Sequence, residues 1–258
     1  MARGPFHFKA FSVEQDGAAM KVGTDGIVLG CWTDVDGVRV VVDAGAGNGY
    51  VGIMLMQRMA EGKVIGCELE PDAAKQAAEN YANQPFEGKT GTAWEGAIQD
   101  AATAMPELAG TVDLMISNPP FFRDKPKSPV RARNLARHDD TLTMGDLVKA
   151  AAQLLRPGGR LCTIWPNDRL EEWASWAAGW GFHPTKLVLV QTMRHLPPKR
   201  FLSEWTLRPS SELECLEDTL TLEGTATLDF TDQYLGYVKP YLRGCLLYTS
   251  DAADDLWC

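Results

Sequence analysis

The sequence predicts an α/β fold, a mainly parallel sheet with helices on both faces. Three observations carry this. Short apolar runs of strand character alternate with stretches of helical periodicity, a glycine-rich turn follows the first long run, and polar residues stand where several runs end. Such alternation builds crossover units, and ligands then sit beyond the carboxyl ends of the strands where strand order reverses.

Each element follows in order. Residues 38–42 read as a buried strand, followed by Asp43-Ala44-Gly45-Ala46-Gly47-Asn48-Gly49 and an apolar helical stretch over 51–60. Strand, glycine turn and helix together make a nucleotide crevice, since glycine permits positive φ and close backbone approach by a ligand. The second strand, 63–67, ends at Glu68, about twenty residues beyond the turn, where a carboxylate can hydrogen-bond both hydroxyls of a ribose. A helix over 72–83 places Ala73, Ala77 and Asn80 on one face. Strands are expected at 90–94, 112–117 and 159–164, and 187–190 with 201–207 close the pattern as a pair. Between them, helix 170–180 carries Leu170, Trp173, Ala177 and Trp180 as an apolar stripe. The acidic stretch 212–218 reads as a surface connection, and 231–242 as an amphipathic helix broken near Pro240.

Ser117-Asn118-Pro119-Pro120-Phe121, at the end of the fourth strand, form a device for presenting an amine. An exocyclic or amide nitrogen is a weak nucleophile because its lone pair is delocalised, and acceptors on both N–H bonds turn that lone pair toward an electrophile. Asn118 offers a side-chain carbonyl and Pro119 a backbone carbonyl, with the two prolines fixing its direction. Phe121 can stack on a planar substrate. A Pro-Pro turn capping a buried strand is the plainer reading of the same residues. Gly47-x-Gly49-x-x-Gly52 also satisfies the dinucleotide pattern, but Asp43 ahead of the glycines repels a pyrophosphate and welcomes an ammonium group.

Composition narrows the partners. The chain has 258 residues, 45% of them hydrophobic, no apolar run long enough for a membrane span, and six cysteines with no C-x-x-C pair. A cytoplasmic protein acting as a monomer, without metal and off the membrane, is expected. The formal charge is −9. Positive charge is nevertheless local: Arg123, Lys125, Lys127, Arg131, Arg133 and Arg137 follow the Asn-Pro-Pro-Phe tetrad, and Arg194, His195, Lys199 and Arg200 form a second group, a pattern that suits RNA as well as a solvated loop. None of the four histidines stands in a pattern that asks for a catalytic base.

The glycine turn and tetrad together resemble S-adenosylmethionine-dependent methyltransferases that modify amino groups. Phe8-Lys9-Ala10-Phe11-Ser12-Val13 and Ala19-Met20-Lys21-Val22-Gly23-Thr24-Asp25-Gly26-Ile27-Val28-Leu29-Gly30-Cys31-Trp32 are similar to the N-terminal signature of the bacterial tRNA1(Val) adenine-37 N6-methyltransferases. Ala136-Arg137-His138 and a helix over 142–155, closed by Arg156-Pro157-Gly158-Gly159, continue the likeness. The resemblance implies a Rossmann-like class I methyltransferase fold, with a seven-stranded, mainly parallel sheet and an antiparallel last strand. It implies S-adenosylmethionine held by Lys21, Thr24, Asp25, Asp43, Gly45, Gly47, Gly49, Glu68, Ile98 and Asn118, and catalysis by Asn118, Pro119 and Phe121. The basic residues would meet a tRNA anticodon loop, where a single-stranded adenine is extruded at low cost. Residues 1–34 form a segment covering the cofactor and 35–244 the methyltransferase domain. Residues 245–258 resemble a translated sequencing adapter and are expected to be a non-native tail. One position departs from the family: Ala97 stands before Ile98 where an Asp usually accepts the adenine amine, and Gln99 or Asp100 could substitute if the strand ended a turn later. Protein glutamine N5-methylation, ribosomal RNA guanine N2-methylation and a non-enzymatic RNA-binding module are the alternatives.

Overall fold

The computed structural model describes residues 4–120, 142–208 and 213–243. The chain enters through a short antiparallel pair, β1 (Phe6–His7) and β2 (Ser12–Val13), and helix α1 (Thr24–Trp32). The sheet then begins with β3 (Val40–Ala44), α2 (Tyr50–Arg58), β4 (Gly62–Glu68), α3 (Pro71–Ala82) and β5 (Lys89–Glu95). After the short α4 (Ala101–Ala104) come β6 (Val112–Ser117), α5 (Met144–Leu154) and β7 (Leu155–Pro166). Helix α6 (Leu170–Gly179), strands β8 (Phe182–Gln191), β9 (Arg200–Leu207) and β10 (Leu216–Thr221), and helix α7 (Asp232–Val238) complete the domain.

The large sheet has the order β10-β8-β9-β7-β6-β3-β4-β5. Only β9 runs against its neighbours, antiparallel to β7 and β8. Strand order reverses between β3 and β6, so the carboxyl ends of β3, β4 and β6 meet around one crevice. The mainly parallel class I architecture is as expected, with a correction in count: among the described residues the sheet has eight strands, not seven, and the last, β10, is parallel to β8. It takes up part of the acidic stretch that reads as a surface connection. Its first four residues are exposed and only Leu220 and Thr221 are buried, so backbone pairing rather than a hydrophobic face makes the strand.

Alternate residues feed two cores. Val41 packs with Leu29, Ile53, Met54, Tyr81 and Val238, beneath α1, α2, α3 and α7. Val42 and Ala44 face Leu147, Leu154, Trp173 and Phe201, beneath α5 and α6. Trp173 and Ala177 are fully buried, whereas Trp180, at the end of α6, is 38% exposed and outside the expected stripe. Strand β7 starts earlier than its apolar run, because Leu155 pairs with Val112 before a bulge absorbs Arg156 to Gly159. Helix α5 is capped by Thr143, whose hydroxyl accepts from the Asp146 N–H at 3.1 Å.

Candidate active site

The crevice is built on the turn between β3 and α2. Gly45, Gly47 and Gly49 have φ of 71°, 58° and 83°, in the region open to glycine at little cost. Gly45 and Ala46 donate backbone N–H groups to the Cys67 carbonyl at 2.9 and 3.1 Å, tying the turn to the end of β4. Glu68 completes the tie. Its Oε2 accepts from the Gly47 N–H at 2.7 Å and its Oε1 from the Glu70 N–H at 3.0 Å, which leaves one further lone-pair site on each oxygen.

Asp43 lies beneath the turn, 2% exposed, its Oδ2 accepting from the Gly52 N–H at 3.0 Å. Burial pushes its carboxyl up to about 7; the Gly52 bond opposes that rise and the Glu68 charge adds to it. Gly52 is there for want of room: a Cβ would lie 2.3 Å from the Tyr81 hydroxyl and 2.9 Å from Val64.

Asn118 reaches the same crevice from β6. The Ser117 hydroxyl donates to the Ala44 carbonyl at 2.7 Å, locking the end of β6 to the end of β3. Asn118 is half-buried and Pro119 buried. Among the described residues the Asn118 Oδ1, the Asn48 Nδ2 and the Tyr81 hydroxyl are buried without a hydrogen-bond partner. Such orphaned atoms are costly in a closed fold, and three of them surround this one turn.

The remaining site residues are more scattered. Lys21 turns back on its own loop, with Nζ donating to the carbonyls of Gln15 at 2.5 Å and Ala18 at 3.0 Å. Thr24 and Asp25 open α1, and Asp25 Oδ2 meets Arg200 Nε at 2.8 Å. Burial raises the Asp25 carboxyl and Arg200 opposes that rise. Ile98 is buried behind β5, beside Ala97. That strand stops at Glu95, so Gln99 and Asp100, both exposed, do not gain the position a longer strand would give them. In the basic set, Arg200 is part of the Asp25 pair, Lys199 is exposed, and Arg194 lines a separate cleft with Gln191, Thr219, Thr221 and Thr231. Phe121, Arg123, Lys125, Lys127, Arg131, Arg133 and Arg137 lie outside the described residues. Two features escape sequence reading: the Asp25–Arg200 pair, separated by 175 positions, and Tyr50, the first residue of α2.

Comparison with known proteins identifies the family. Residues 31–172 match the family described as methyltransferase small domain. A tRNA1(Val) (adenine(37)-N6)-methyltransferase of Porphyromonas gingivalis is 38% identical over 92% of this chain and 94% of its own. One from Bacteroides fragilis is 36% identical over 93% and 98%. The chain belongs to the tRNA1(Val) (adenine(37)-N6)-methyltransferase family. A crystal structure described as "a predicted O-methyltransferase" from Agrobacterium tumefaciens shares the fold, with a TM-score of 0.65 at 18% identity over 86% of this chain and all of its own.

The crevice also fits the methyl donor of such enzymes, S-adenosylmethionine. Two carboxylates at adjacent strand ends suit a cationic amino acid and a ribose, and they oppose a pyrophosphate. The left-handed glycines keep side chains out of the space above the turn. Among the described residues no group of His, Cys, Asp and Glu could hold a metal ion, and no helix is long and apolar enough to cross a membrane.

Proposed function

We propose that this chain transfers a methyl group from S-adenosylmethionine to the N6 amine of adenosine 37 in tRNA1(Val). The observation that carries the reading is the Asn118 Oδ1, buried at the lip of the cofactor crevice with its acceptor capacity unused among the described residues. A substrate N–H satisfies it. Pro119 offers its carbonyl to the second N–H, so the amine is held by both hydrogens and its lone pair faces the crevice. Asp43 and Glu68 hold the methionine and ribose parts of the cofactor, with Gly45, Gly47 and Gly49 allowing the close approach. Bound there, S-adenosylmethionine supplies an electrophilic methyl group on a sulfonium. Alignment of amine and methyl, about 3 Å apart, provides most of the rate enhancement. Phe121 stacks on the extruded base, and the basic residues between Arg123 and Arg137, with Arg194 and Lys199, meet the anticodon stem-loop. The chain works as a cytoplasmic monomer.

The test is transfer from methyl-labelled cofactor to tRNA1(Val) transcripts carrying A37 or G37, with total protein and ribosomal RNA in parallel. Label recovered as N6-methyladenosine from the A37 transcript alone is the expected result. Label in glutamine or in guanine of ribosomal RNA, or tRNA binding without transfer, would overturn the reading.

A further inference from the structure

Asparagine is a poor helix former, and burying its carboxamide is costly unless the hydrogen bonds of that group are made. Asn80, near the end of α3, is nevertheless only 3% exposed. Its Oδ1 accepts from the Glu14 N–H at 2.9 Å, and its Nδ2 donates to the Glu14 carbonyl at 2.9 Å and to the Asn48 carbonyl at 2.8 Å. Both amide hydrogens are spent on carbonyls and the oxygen meets an N–H, so the partners fix which end of the amide points where. An ionised aspartate has no hydrogen to donate and could not make this set.

Two separate parts of the chain meet on this one amide. Glu14 follows β2 and begins the loop that leads to α1. One turn earlier on α3, Gln76 holds the same loop, its Oε1 accepting from the Gly17 N–H at 3.0 Å. Gly17 lies close against the helix, where a Cβ would stand 2.9 Å from the Asp72 carbonyl oxygen and 3.3 Å from the Gln76 Cβ. Asn48, the other partner, belongs to the glycine turn.

That turn is soft by composition. Gly45, Gly47 and Gly49 at positive φ permit close approach by a ligand, and they also allow the backbone other shapes. On the β4 side, the Cys67 carbonyl and the Glu68 carboxylate hold the N–H groups of Gly45, Ala46 and Gly47. On the α3 side, Asn80 holds the Asn48 carbonyl. A turn that takes its shape only when the ligand arrives loses affinity to that ordering, whereas one held in advance does not.

We infer that Asn80 is a positioning residue for the cofactor: by holding the Asn48 carbonyl against α3 it keeps the glycine turn in its ligand-ready shape, and by holding Glu14 it sets the following loop in register with that turn. It acts through the Asn48 peptide. The inference rests on the reading of the glycine turn as the seat of S-adenosylmethionine.

Asn80→Ala removes all three bonds. The calorimetric Kd for S-adenosylmethionine and the KM for it should rise about three- to tenfold, the worth of a hydrogen bond expressed as affinity. At saturating cofactor, kcat and the KM for tRNA should stay within about twofold, the split that marks a loss of cofactor binding alone. Asn80→Asp keeps the size and the acceptor for the Glu14 N–H but sets a carboxylate against two carbonyls, and it should bind cofactor no better than Asn80→Ala. Gln76→Ala frees the loop at Gly17 without touching the glycine turn, and its Kd should stay within about twofold of the parent. Parental Kd in Asn80→Ala or Asn80→Asp, with only a lower thermal midpoint, makes Asn80 a packing residue and overturns the inference. An equal rise in Gln76→Ala overturns it too, because the loop and not the turn would then carry the effect. Parental affinity in Glu68→Ala removes the reading of the turn on which the inference rests.

Discussion

The two halves of the sheet treat their buried carboxyl groups in opposite ways, while each leaves other buried polar atoms unpaired among the described residues, the Trp205 Nε1 and Thr192 Oγ1 in one half. In the half made of β7, β9, β8 and β10, Glu204 is 4% exposed and fully engaged. Its Oε2 accepts from Arg160 Nη1 at 2.7 Å, its Oε1 from the Thr185 hydroxyl at 2.8 Å, and Lys186 Nζ lies 3.7 Å from Oε1. Thr163, Ser203 and the Trp173 indole form a second closed chain, with links of 3.1 and 3.0 Å. In the half made of β5, β4, β3 and β6, the Asn118 Oδ1, Asn48 Nδ2 and Tyr81 hydroxyl are left open among the described residues, and Asp43 holds a single backbone bond. Closed networks keep one packing in place. Open groups are stability forgone where a ligand is to complete them.

That contrast makes opposite predictions for the two halves. The largest effect on folding belongs to Glu204→Ala, which leaves Arg160 with the Asp34 carbonyl at 2.9 Å but without its carboxylate and should cost about 3 kcal/mol, read as a lower thermal midpoint. At temperatures where the variant is folded, its kcat should match the parent. A large kcat loss in folded protein would break the division of labour.

In the crevice half, Asp43→Ala and Glu68→Ala should each weaken cofactor binding by about 1.5 to 3 kcal/mol, the worth of a hydrogen bond to a charged group. Calorimetric titration checks this, and parent-like affinities would show the crevice to be misassigned.

The raised carboxyl of Asp43 gives a smaller, pH-dependent effect. Its pKa is about 7 in the fold against 3.8 for the ordinary group, so the folded state holds this proton more tightly. That contribution to stability is fully present below the lower value and is lost as pH rises through the upper one. Binding of a cationic cofactor needs the ionised form and works against it. Cofactor affinity should therefore rise from about pH 5.5 to about pH 7, by up to about tenfold per unit, and Asp43→Asn should flatten the rise. A flat profile in the parent would remove Asp43 from contact with the ammonium group.

The gentlest test concerns the RNA. Neutralising Arg131, Arg133 and Arg137 should reduce the slope of log affinity against log salt by about one for each phosphate left without its cation, with cofactor affinity unchanged. An unaltered slope would make that segment an ordinary solvated loop.

The same contrast governs what the sequence makes legible. Strands β3, β4 and β6 are buried along most of their length, so they stand out as apolar runs, and the polar residues at their carboxyl ends, Asp43, Glu68 and Asn118, are found by position alone. Strand β10 is hidden because its outward residues Leu216, Glu217, Asp218 and Thr219 carry no alternation, and only its ladder with β8 defines it. Tyr50 reads as one more apolar residue in a helix. Its hydroxyl meets Gly23 and its ring fills the space left by Gly26, contacts that only the folded chain brings about. Arg200 reads as a cation for RNA, and nothing in its neighbours announces Asp25 as a partner.

Asn118→Ala tests most directly whether the open groups mark the chemistry. Single-turnover methyl transfer to tRNA1(Val), measured with cofactor and tRNA both saturating, should slow by about a hundredfold or more. The thermal midpoint and both dissociation constants should match the parent. Transfer at the parental rate would contradict the account, because the unpaired Oδ1 would then be a feature of the turn and not the acceptor for the amine.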